Sequence, residues 1–264
     1  MRDLPIGMFD SGLGGLTVMQ QLVCALPYED VVYFGDTARL PYGGKSPETI
    51  LRYSIENSIF LVQKNVKMIV VACNTATAHA LEQLQRRFPI PVVGVIEPGV
   101  ESALKVSRNR CIGVLGTKGT VLSRSYEKAI LERNPHAKVF SVACPLFVPI
   151  VEEGFVDHLA ARLIVKEYLA PLKEQQVDTL LLGCTHYPLL KELIRSEMGD
   201  GVEIIDSACS CANRIQEVLS KAELVRMNRM GPVYRYYVSD DPERFQDLGS
   251  AFLGMQIHNV ESSG

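Results

Sequence analysis

The chain has 264 residues, 47% of them hydrophobic, which is enough to build a full core without disulfides or metal ions. Its formal net charge is −3 and it contains no basic block, which argues against nucleic acid as a partner. No apolar run reaches the roughly 18 residues of a membrane-spanning helix, and the first residues carry no signal-peptide core. The seven cysteines, an odd number spread along the chain, argue against a disulfide framework. We therefore expect a cytoplasmic protein with neither a nucleic-acid nor a membrane partner.

Strands and helices alternate over the first part of the chain. Strand patterns lie at 5–9, 31–35, 67–72 and 91–96, and helical patterns lie at 16–26, 47–64 and 75–88. Ser46 and Pro47 predict the start of the second helix, because serine caps helix N-termini and proline fits the first helical position. The fourth strand is expected to end at a turn over 97–99. Strands that alternate with helices predict a parallel, doubly wound sheet.

Two connections in this part of the chain are candidate ligand sites. The glycine-rich turn 10–15 lacks the spacing and the lysine of a phosphate-binding loop. Asp10 and Ser11, however, lie at the carboxyl end of the first strand, where ligands bind in open α/β sheets. The loop 36–45 is rich in proline and glycine and is longer than most connections, which favours a binding loop.

The same pattern restarts near residue 111. The segment 111–120 mirrors the first strand and its glycine-rich turn, and Ile112 follows Ile6 by 106 residues. The offset between Cys73 and Cys184 is similar, 111 residues, so the sequence predicts two homologous halves. The second half should contain strands at 111–115, 139–143, 178–182 and 202–205, helices at 123–132, 159–175 and 189–198, and a loop at 144–154. An interruption of the long helix is expected near Pro171.

The remaining C-terminal segment is too short to form a domain of its own. Its pattern predicts a helix at 210–222, an edge strand at 233–239, a short helix from 241 to about 254, and a frayed end over 255–264. We expect this segment to pack back on the first half.

The predicted fold class is therefore α/β, with two similar doubly wound domains, mostly parallel sheets, and an active site in the interdomain cleft. The first domain would comprise residues 1–97 and 208–264. Residues 98–207 would form the second, inserted domain.

Two cysteines each end an apolar run and precede a helical pattern. They are Cys73, in the run 70–75, and Cys184, in the run 181–186. A helix N-terminus should lower the pKa of each thiol, because the helix dipole stabilises the thiolate. On equivalent strands of two similar halves, the thiols would face each other across the cleft. A thiolate on one face of a carbon can remove its proton, and a thiol on the opposite face can return one. This exchange is the chemistry of racemisation.

Other interpretations of the cysteines stay open at this point. A buried cysteine is most often an inert, small apolar residue, which is our expectation for Cys24, Cys111 and Cys144. A single cysteine could instead act as a covalent nucleophile, as in a hydrolase. Two halves around a cleft would also suit a protein that only binds an amino acid, although such a protein needs no thiols there.

Two further side chains accompany the cysteine turns. His186 follows Cys184 by two residues and could tune that thiol or act on a substrate. Asp10, at the end of the first strand, could play the same part for Cys73. The C-x-C pair at 209–211 does not have the spacing of a standard zinc site, so we expect no bound metal.

Several motifs, in order along nearly the whole chain, resemble those of the bacterial glutamate racemases, within the aspartate/glutamate racemase family. They are Phe9-Asp10-Ser11-Gly12-Leu13-Gly14-Gly15, the segment 35–43, Ala72-Cys73-Asn74-Thr75, the segments 144–149 and 152–154, and Gly183-Cys184-Thr185-His186-Tyr187-Pro188. The resemblance implies a cofactor-independent enzyme that interconverts L- and D-glutamate and supplies D-glutamate for peptidoglycan. A related racemase for aspartate is the nearest alternative.

The resemblance also implies roles for particular residues. Cys184 would deprotonate L-glutamate and Cys73 would deprotonate D-glutamate, with Asp10, Glu152 and His186 as assisting acid and base groups. The substrate-binding set would be Asp10, Ser11, Pro41, Tyr42, Gly43, Asn74, Thr75, Thr117, Thr185 and His186. The family resemblance further implies a homodimer. Without a cofactor the carbanion must be stabilised in a closed, desolvated cleft, so we expect closure on the substrate.

Overall fold

The first part of the chain builds strands and helices in strict alternation. A computed structural model describes residues 1–228 and 230–263. The first elements are β1 Ile6–Asp10, α1 Leu16–Ala25, β2 Val31–Gly35, α2 Pro47–Gln63, β3 Met68–Val71, α3 Asn74–Arg87 and β4 Val92–Gly94. All residues of the first three strands are buried. A strand covered on both faces by helices needs an apolar sequence, and these strands carry no charged residue except Asp10 at the end of β1.

The second part of the chain repeats this alternation. Its elements are α4 Ile96–Val106, β5 Cys111–Gly116, α5 Lys118–Ser123, α6 Ser125–Arg133, β6 Lys138–Ala143, α7 Phe147–Glu152, α8 Leu159–Glu174, β7 Thr179–Gly183, α9 Lys191–Met198 and β8 Glu203–Asp206. The chain then returns through α10 Ser207–Lys221, β9 Tyr234–Val238, α11 Pro242–Leu253 and β10 Val260–Ser262. None of the described helices is long and apolar enough to cross a membrane.

Four adjacent strands of the first sheet are arranged in the same order as the four strands of the second sheet. The first sheet runs β10-β9-β2-β1-β3-β4 and the second runs β6-β5-β7-β8, with parallel pairing throughout. The segment β2-β1-β3-β4 therefore corresponds strand by strand to the second sheet. This confirms the predicted α/β class with parallel sheets. It also places Cys73, after β3, and Cys184, after β7, at equivalent positions.

The chain crosses between the halves twice, through α4 and α10. These helices lie side by side: the hydroxyls of Ser102 and Ser210 are 2.8 Å apart, and Arg214 donates to both carboxylate oxygens of Glu101 at 2.6 Å. The two crossings are therefore adjacent. A division into residues 1–97 with 208–264 and residues 98–207 stays a prediction.

The C-terminal segment extends the first sheet and corrects two predictions. The strand expected at an edge, β9, lies between β2 and β10. The end expected to be frayed forms β10, in which Val260 pairs with Tyr236. Both errors have one cause, because a pairing partner far away in the chain leaves no local signal. The last residue of the predicted frayed end, Gly264, lies outside the described residues.

Helix positions differ from the prediction in the second half. The turn expected at 97–99 lies inside α4, where Pro98 fits because the first turn of a helix has unpaired N–H groups. The expected loop 144–154 contains α7, and α5 precedes the helix that was expected to begin at 123. The helix α8 runs through Pro171 without interruption. That proline lies in the last turn and forgoes the one hydrogen bond that a backbone N–H there would make to Glu167, and the helix continues for only three residues beyond it.

Candidate active site

The two cysteines lie where strands of the two sheets end. Cys73 follows β3 and is the N-cap residue of α3, and Cys184 follows β7. Each cysteine is 6% exposed. Both line one small cavity between the halves, which we call the inner cavity. The fold therefore brings together two thiols that the sequence separates by 111 residues.

The inner cavity is lined by residues of both halves, which are Ser11, Gly12, Leu40, Pro41, Tyr42, Gly43, Cys73, Asn74, Thr75, Thr117, Val148, Glu152, Cys184, Thr185 and His186. Its volume is only ≈ 30 Å³, room for about one water molecule. A larger outer cavity of ≈ 500 Å³ adjoins it and shares Pro41, Thr117 and Glu152. The inner cavity in this conformation is therefore too small for an amino acid.

Cys73 is surrounded by hydrogen-bond donors and one carboxylate. Its Sγ accepts a hydrogen bond from the backbone N–H of Ala76 at 3.5 Å. Burial raises the pKa of the Cys73 thiol to about 12, and the charge of Asp10 acts in the same direction. The N–H of Ala76 and the hydroxyl of Ser11 lower this pKa but only in part. The expected lowering of the thiol pKa is therefore wrong, because the loss of water outweighs the helix N-terminus.

Cys184 has an imidazole as its neighbour. Its Sγ lies 3.9 Å from Nδ1 of His186, and Nε2 of that ring is 2.8 Å from a carboxylate oxygen of Glu152. The carboxylate accepts from Nε2–H, and in a neutral ring Nδ1 then faces the thiol as an acceptor. Burial raises the pKa of Cys184 well above its usual value, although the backbone N–H of His186 lowers it. The charge of Cys73 also raises this pKa, so the two thiols repel each other's ionisation.

Asp10 lies behind the inner cavity and links the halves. It is completely buried, its Oδ2 accepts from the backbone N–H of Gly12 at 2.9 Å, and its Oδ1 accepts from the hydroxyl of Thr185 at 3.4 Å. Burial raises the pKa of Asp10, and the charge of His186 opposes this. Among the predicted site residues, Asp10 alone does not line the inner cavity. It reaches the site through the hydroxyl of Thr185, the backbone N–H of Gly12 and its charge.

The predicted binding loop 36–45 forms one wall of the inner cavity. It contains two 3₁₀ turns, Thr37–Arg39 and Tyr42–Gly44. The hydroxyl of Tyr42 donates to the buried carboxylate of Asp36, and Asn57 donates to that hydroxyl at 3.0 Å. A side chain at Gly43 would lie 2.6 Å from Thr117, so only glycine allows this close approach. The loop therefore closes against the second half.

Threonine hydroxyls bridge the halves at the opposite wall. The hydroxyl of Thr75 lies 2.9 Å from that of Thr117 and 3.1 Å from that of Thr120. Asn74 accepts a hydrogen bond from Tyr126 at 2.6 Å, while its amide nitrogen has no partner among the described residues. An unpaired buried donor beside two thiols suits a substrate carboxylate.

The sequence did not single out three residues that line the inner cavity, Gly12, Leu40 and Val148. Gly12 and Leu40 are chain neighbours of predicted residues, so their positions could have been inferred from the motifs. Val148 lies in the motif segment 144–149, but the helix α7 that carries it was expected to be a loop. Within the described part of the chain, no group of three or more His, Cys, Asp or Glu side chains could hold a metal ion.

Comparison with known proteins matches the chain to a family. The sequence pattern described as Asp/Glu/Hydantoin racemase matches residues 15–214. The chain belongs to this family. It is 52% identical over 255 residues to a glutamate racemase from Geobacter metallireducens, covering 97% of this chain and 94% of that protein.

Solved structures of the same family superpose closely on the fold. A glutamate racemase isoform from Bacillus anthracis is 40% identical, with a TM-score of 0.97, covering 100% of this chain and 98% of the other. A glutamate racemase from Francisella tularensis, solved in complex with D-glutamate, is 38% identical with a TM-score of 0.94, again covering 100% and 98%. The family identified from the motifs is thus confirmed, and the protein is a racemase-family enzyme.

Proposed function

We propose that this protein interconverts L- and D-glutamate without a cofactor, using Cys73 and Cys184 as opposed bases. The observation that carries the proposal is the pair of buried thiols that end equivalent strands and line one cavity. Acid–base groups accompany both thiols: Nδ1 of His186 lies 3.9 Å from Cys184, and the charge of Asp10 acts on Cys73 and also on Cys184. A single nucleophile would leave the second thiol and its neighbour without a role.

The proposed reaction moves one proton off the substrate and one back. Cys184, as thiolate, takes the Cα proton of L-glutamate and becomes a thiol, which leaves a carbanion. The thiol of Cys73 then gives its proton to the opposite face of Cα and becomes a thiolate, so charge and protons balance. The reverse sequence converts D-glutamate to L-glutamate. The assignment of each cysteine to one enantiomer follows the family resemblance.

The raised thiol pKa values suit this reaction. One thiol must hold a proton while the other lacks it, and a state with two thiolates cannot donate. Burial favours the protonated form of both, and the charge of Cys73 opposes ionisation of Cys184. His186, held by Glu152, can accept the proton of Cys184 and so generate the base when substrate enters. Asp10 would assist Cys73 in the same way.

Glutamate offers two carboxylates to the donors around the inner cavity. The proposed binding residues are Asp10, Ser11, Pro41, Tyr42, Gly43, Asn74, Thr75, Thr117, Thr185 and His186. The unpartnered amide nitrogen of Asn74 and the backbone N–H groups at the start of α3 are suited to a carboxylate. No lysine lines the inner cavity in the described part of the chain, so a Schiff base with pyridoxal phosphate has no partner there.

The wider biological role is proposed on the same basis. D-Glutamate made by this enzyme would supply peptidoglycan synthesis in the cytoplasm. A homodimer and the division into residues 1–97 with 208–264 and residues 98–207 stay predictions.

The decisive experiment is turnover in deuterium oxide with alanine variants of the two cysteines. Wild-type enzyme should place solvent deuterium at Cα of the product, and either Cys73→Ala or Cys184→Ala should lower kcat by about 10²–10⁴-fold. Cys211→Ala removes a buried thiol outside the inner cavity and should keep full activity. Full racemisation with either of the first two variants would contradict the two-base mechanism.

The substrate and the absence of a cofactor need separate measurements. Turnover of glutamate should exceed that of aspartate, and faster aspartate racemisation would overturn the substrate assignment. Activity should survive exhaustive dialysis against a chelator and treatment with hydroxylamine, which removes pyridoxal phosphate. Loss of activity that returns on adding a metal ion or pyridoxal phosphate would contradict cofactor independence.

A further inference from the structure

We infer that Tyr126 is a positioning residue for the substrate: its hydroxyl orients the side-chain amide of Asn74 so that the amide nitrogen faces a substrate carboxylate. The inference rests on the proposed function, in which Asn74 binds glutamate. Tyr126 itself does not line the inner cavity and is not expected to touch the substrate.

The geometry around the amide is specific. The hydroxyl of Tyr126 donates to Oδ1 of Asn74 at 2.6 Å. Asn74 is 2% exposed and lines the inner cavity, and its Nδ2 has no hydrogen-bond partner among the described residues. An amide has one acceptor end and one donor end. With the acceptor end engaged by Tyr126, only the donor end is available to a ligand.

Tyr126 is well placed to hold this orientation. It belongs to α6 and is 2% exposed, and its ring packs in the core of the second half with Ile112, Val114 and Leu181. The ring also lies against Gly183, where an added Cβ would be 2.9 Å from a ring carbon. The side chain therefore sits between the two cysteine turns. Burial raises the pKa of Tyr126, which keeps its hydroxyl protonated and able to donate.

The orientation decides whether the amide attracts or repels the substrate. The N–H groups of Nδ2 attract a carboxylate, whereas a reversed amide would present its carbonyl oxygen and repel it. Tyr126 belongs to the second half and Asn74 to the first, so this orientation exists only when the two halves are together. The structure thus links assembly of the cleft to preorganisation of one carboxylate contact.

The test is a double-mutant cycle with Tyr126→Phe, Asn74→Ala and the double variant. Tyr126→Phe keeps the ring and removes only the hydroxyl. We expect the KM for both enantiomers to rise about tenfold and kcat to change less than twofold, because a carboxylate contact is made equally in the ground and transition states. Asn74→Ala should raise KM at least as much. In the double variant the effect should equal that of Asn74→Ala alone.

Tyr187→Phe is the matched control. Tyr187 is fully buried in the same half, and its hydroxyl donates to the backbone oxygen of Cys144 at 2.9 Å. The Tyr187→Phe variant loses one buried hydrogen bond of similar length and should leave KM unchanged. An unchanged KM in Tyr126→Phe, or an additive loss in the double variant, would overturn the inference, since both outcomes fit a purely structural tyrosine.

A further variant covers the case in which Tyr126→Phe does not fold. Asn74→Asp keeps an acceptor for Tyr126 but replaces the amide nitrogen by oxygen, so it should raise KM more than Asn74→Ala does. If KM rises no more in Asn74→Asp than in Asn74→Ala, a contact between a substrate carboxylate and Nδ2 of Asn74 is contradicted. Wild-type racemisation and calorimetric binding of D-glutamate are measured alongside. Wild-type protein that binds glutamate without racemising it would reject the proposed function alone. The double-mutant cycle would then be measured as changes in the Kd for D-glutamate.

Discussion

The two cysteine turns occupy equivalent positions in equivalent sheets, yet their neighbours differ. Cys73 lies beside the carboxylate of Asp10, and Cys184 lies beside the imidazole of His186, which Glu152 holds from its other side. The charge of Asp10 adds to burial in raising the pKa of both thiols. Backbone N–H groups oppose burial at both, from Ala76 and Thr75 at Cys73 and from His186 at Cys184.

The difference teaches that duplication of the fold supplied two positions but not two identical sites. The proposed substrates are mirror images, while the cavity that would receive them is not symmetric. Under the proposed mechanism each side of the cavity would generate its own thiolate, with different neighbouring groups. The following variants test whether changes near Cys73 and changes near Cys184 affect the two enantiomers differently.

The largest effect after the cysteines themselves is expected for His186→Asn. Loss of the group facing Cys184 should lower kcat by about 10²-fold. The two enantiomers have equal free energy, so kcat/KM must fall equally in both directions. The discriminating measurement is the primary isotope effect with substrate deuterated at Cα, which should grow for L-glutamate and shrink for D-glutamate. His79→Asn, outside the inner cavity, is the control and should leave both isotope effects unchanged.

Asp10→Asn is expected to lower kcat by about 10- to 10²-fold through its effect on the Cys73 side of the cavity. The asparagine keeps the size of the side chain and removes its charge and its capacity as a base. The isotope effect should now grow for D-glutamate, the reverse of the histidine variant. If both variants enhance the effect for the same enantiomer, the assignment of Asp10 to the Cys73 side is wrong.

Glu152→Gln should have a smaller effect, about three- to tenfold in kcat, which corresponds to roughly 1 kcal/mol. The amide can still reach Nε2 of His186, but it no longer stabilises a protonated ring through charge. The change in isotope effects should follow the direction of His186→Asn. A change in the direction of Asp10→Asn would show that Glu152 serves the Cys73 side instead.

The smallest expected effect concerns stability at alkaline pH. The pKa of Cys73 is about 12 in the folded protein and 9.0 for an ordinary thiol, so between these values the folded protein keeps a proton that the unfolded chain releases. The free energy of unfolding therefore falls as pH rises, by about 1 kcal/mol between pH 9 and pH 10 for one such thiol. Urea unfolding of Cys73→Ser should show a correspondingly weaker pH dependence than wild type. Identical pH dependence would argue against the raised thiol pKa.

Much of the fold and of the site could be predicted because it is encoded locally. Unbroken apolar runs predicted the buried strands, and Ser46 with Pro47 predicted the start of α2, where Ser46 accepts from the N–H of Thr49. The motifs pointed to nearly all residues that line the inner cavity. The errors at β9, β10 and α7 concern elements whose state depends on partners far along the chain.

The sequence by itself determined the alternation of strands and helices, the repeat that makes Cys73 and Cys184 equivalent, and the residues offered to the site. The alternation and the motifs are read within a few residues of each other, and the repeat is read by comparing such stretches at offsets of 106 and 111 residues. Only the tertiary structure decided the sign of the thiol pKa shifts, the contact of Glu152 with His186, and the contact of Tyr126 with Asn74. Burial and contacts between the halves arise from packing of distant segments, so they depend on the folded arrangement of the whole chain.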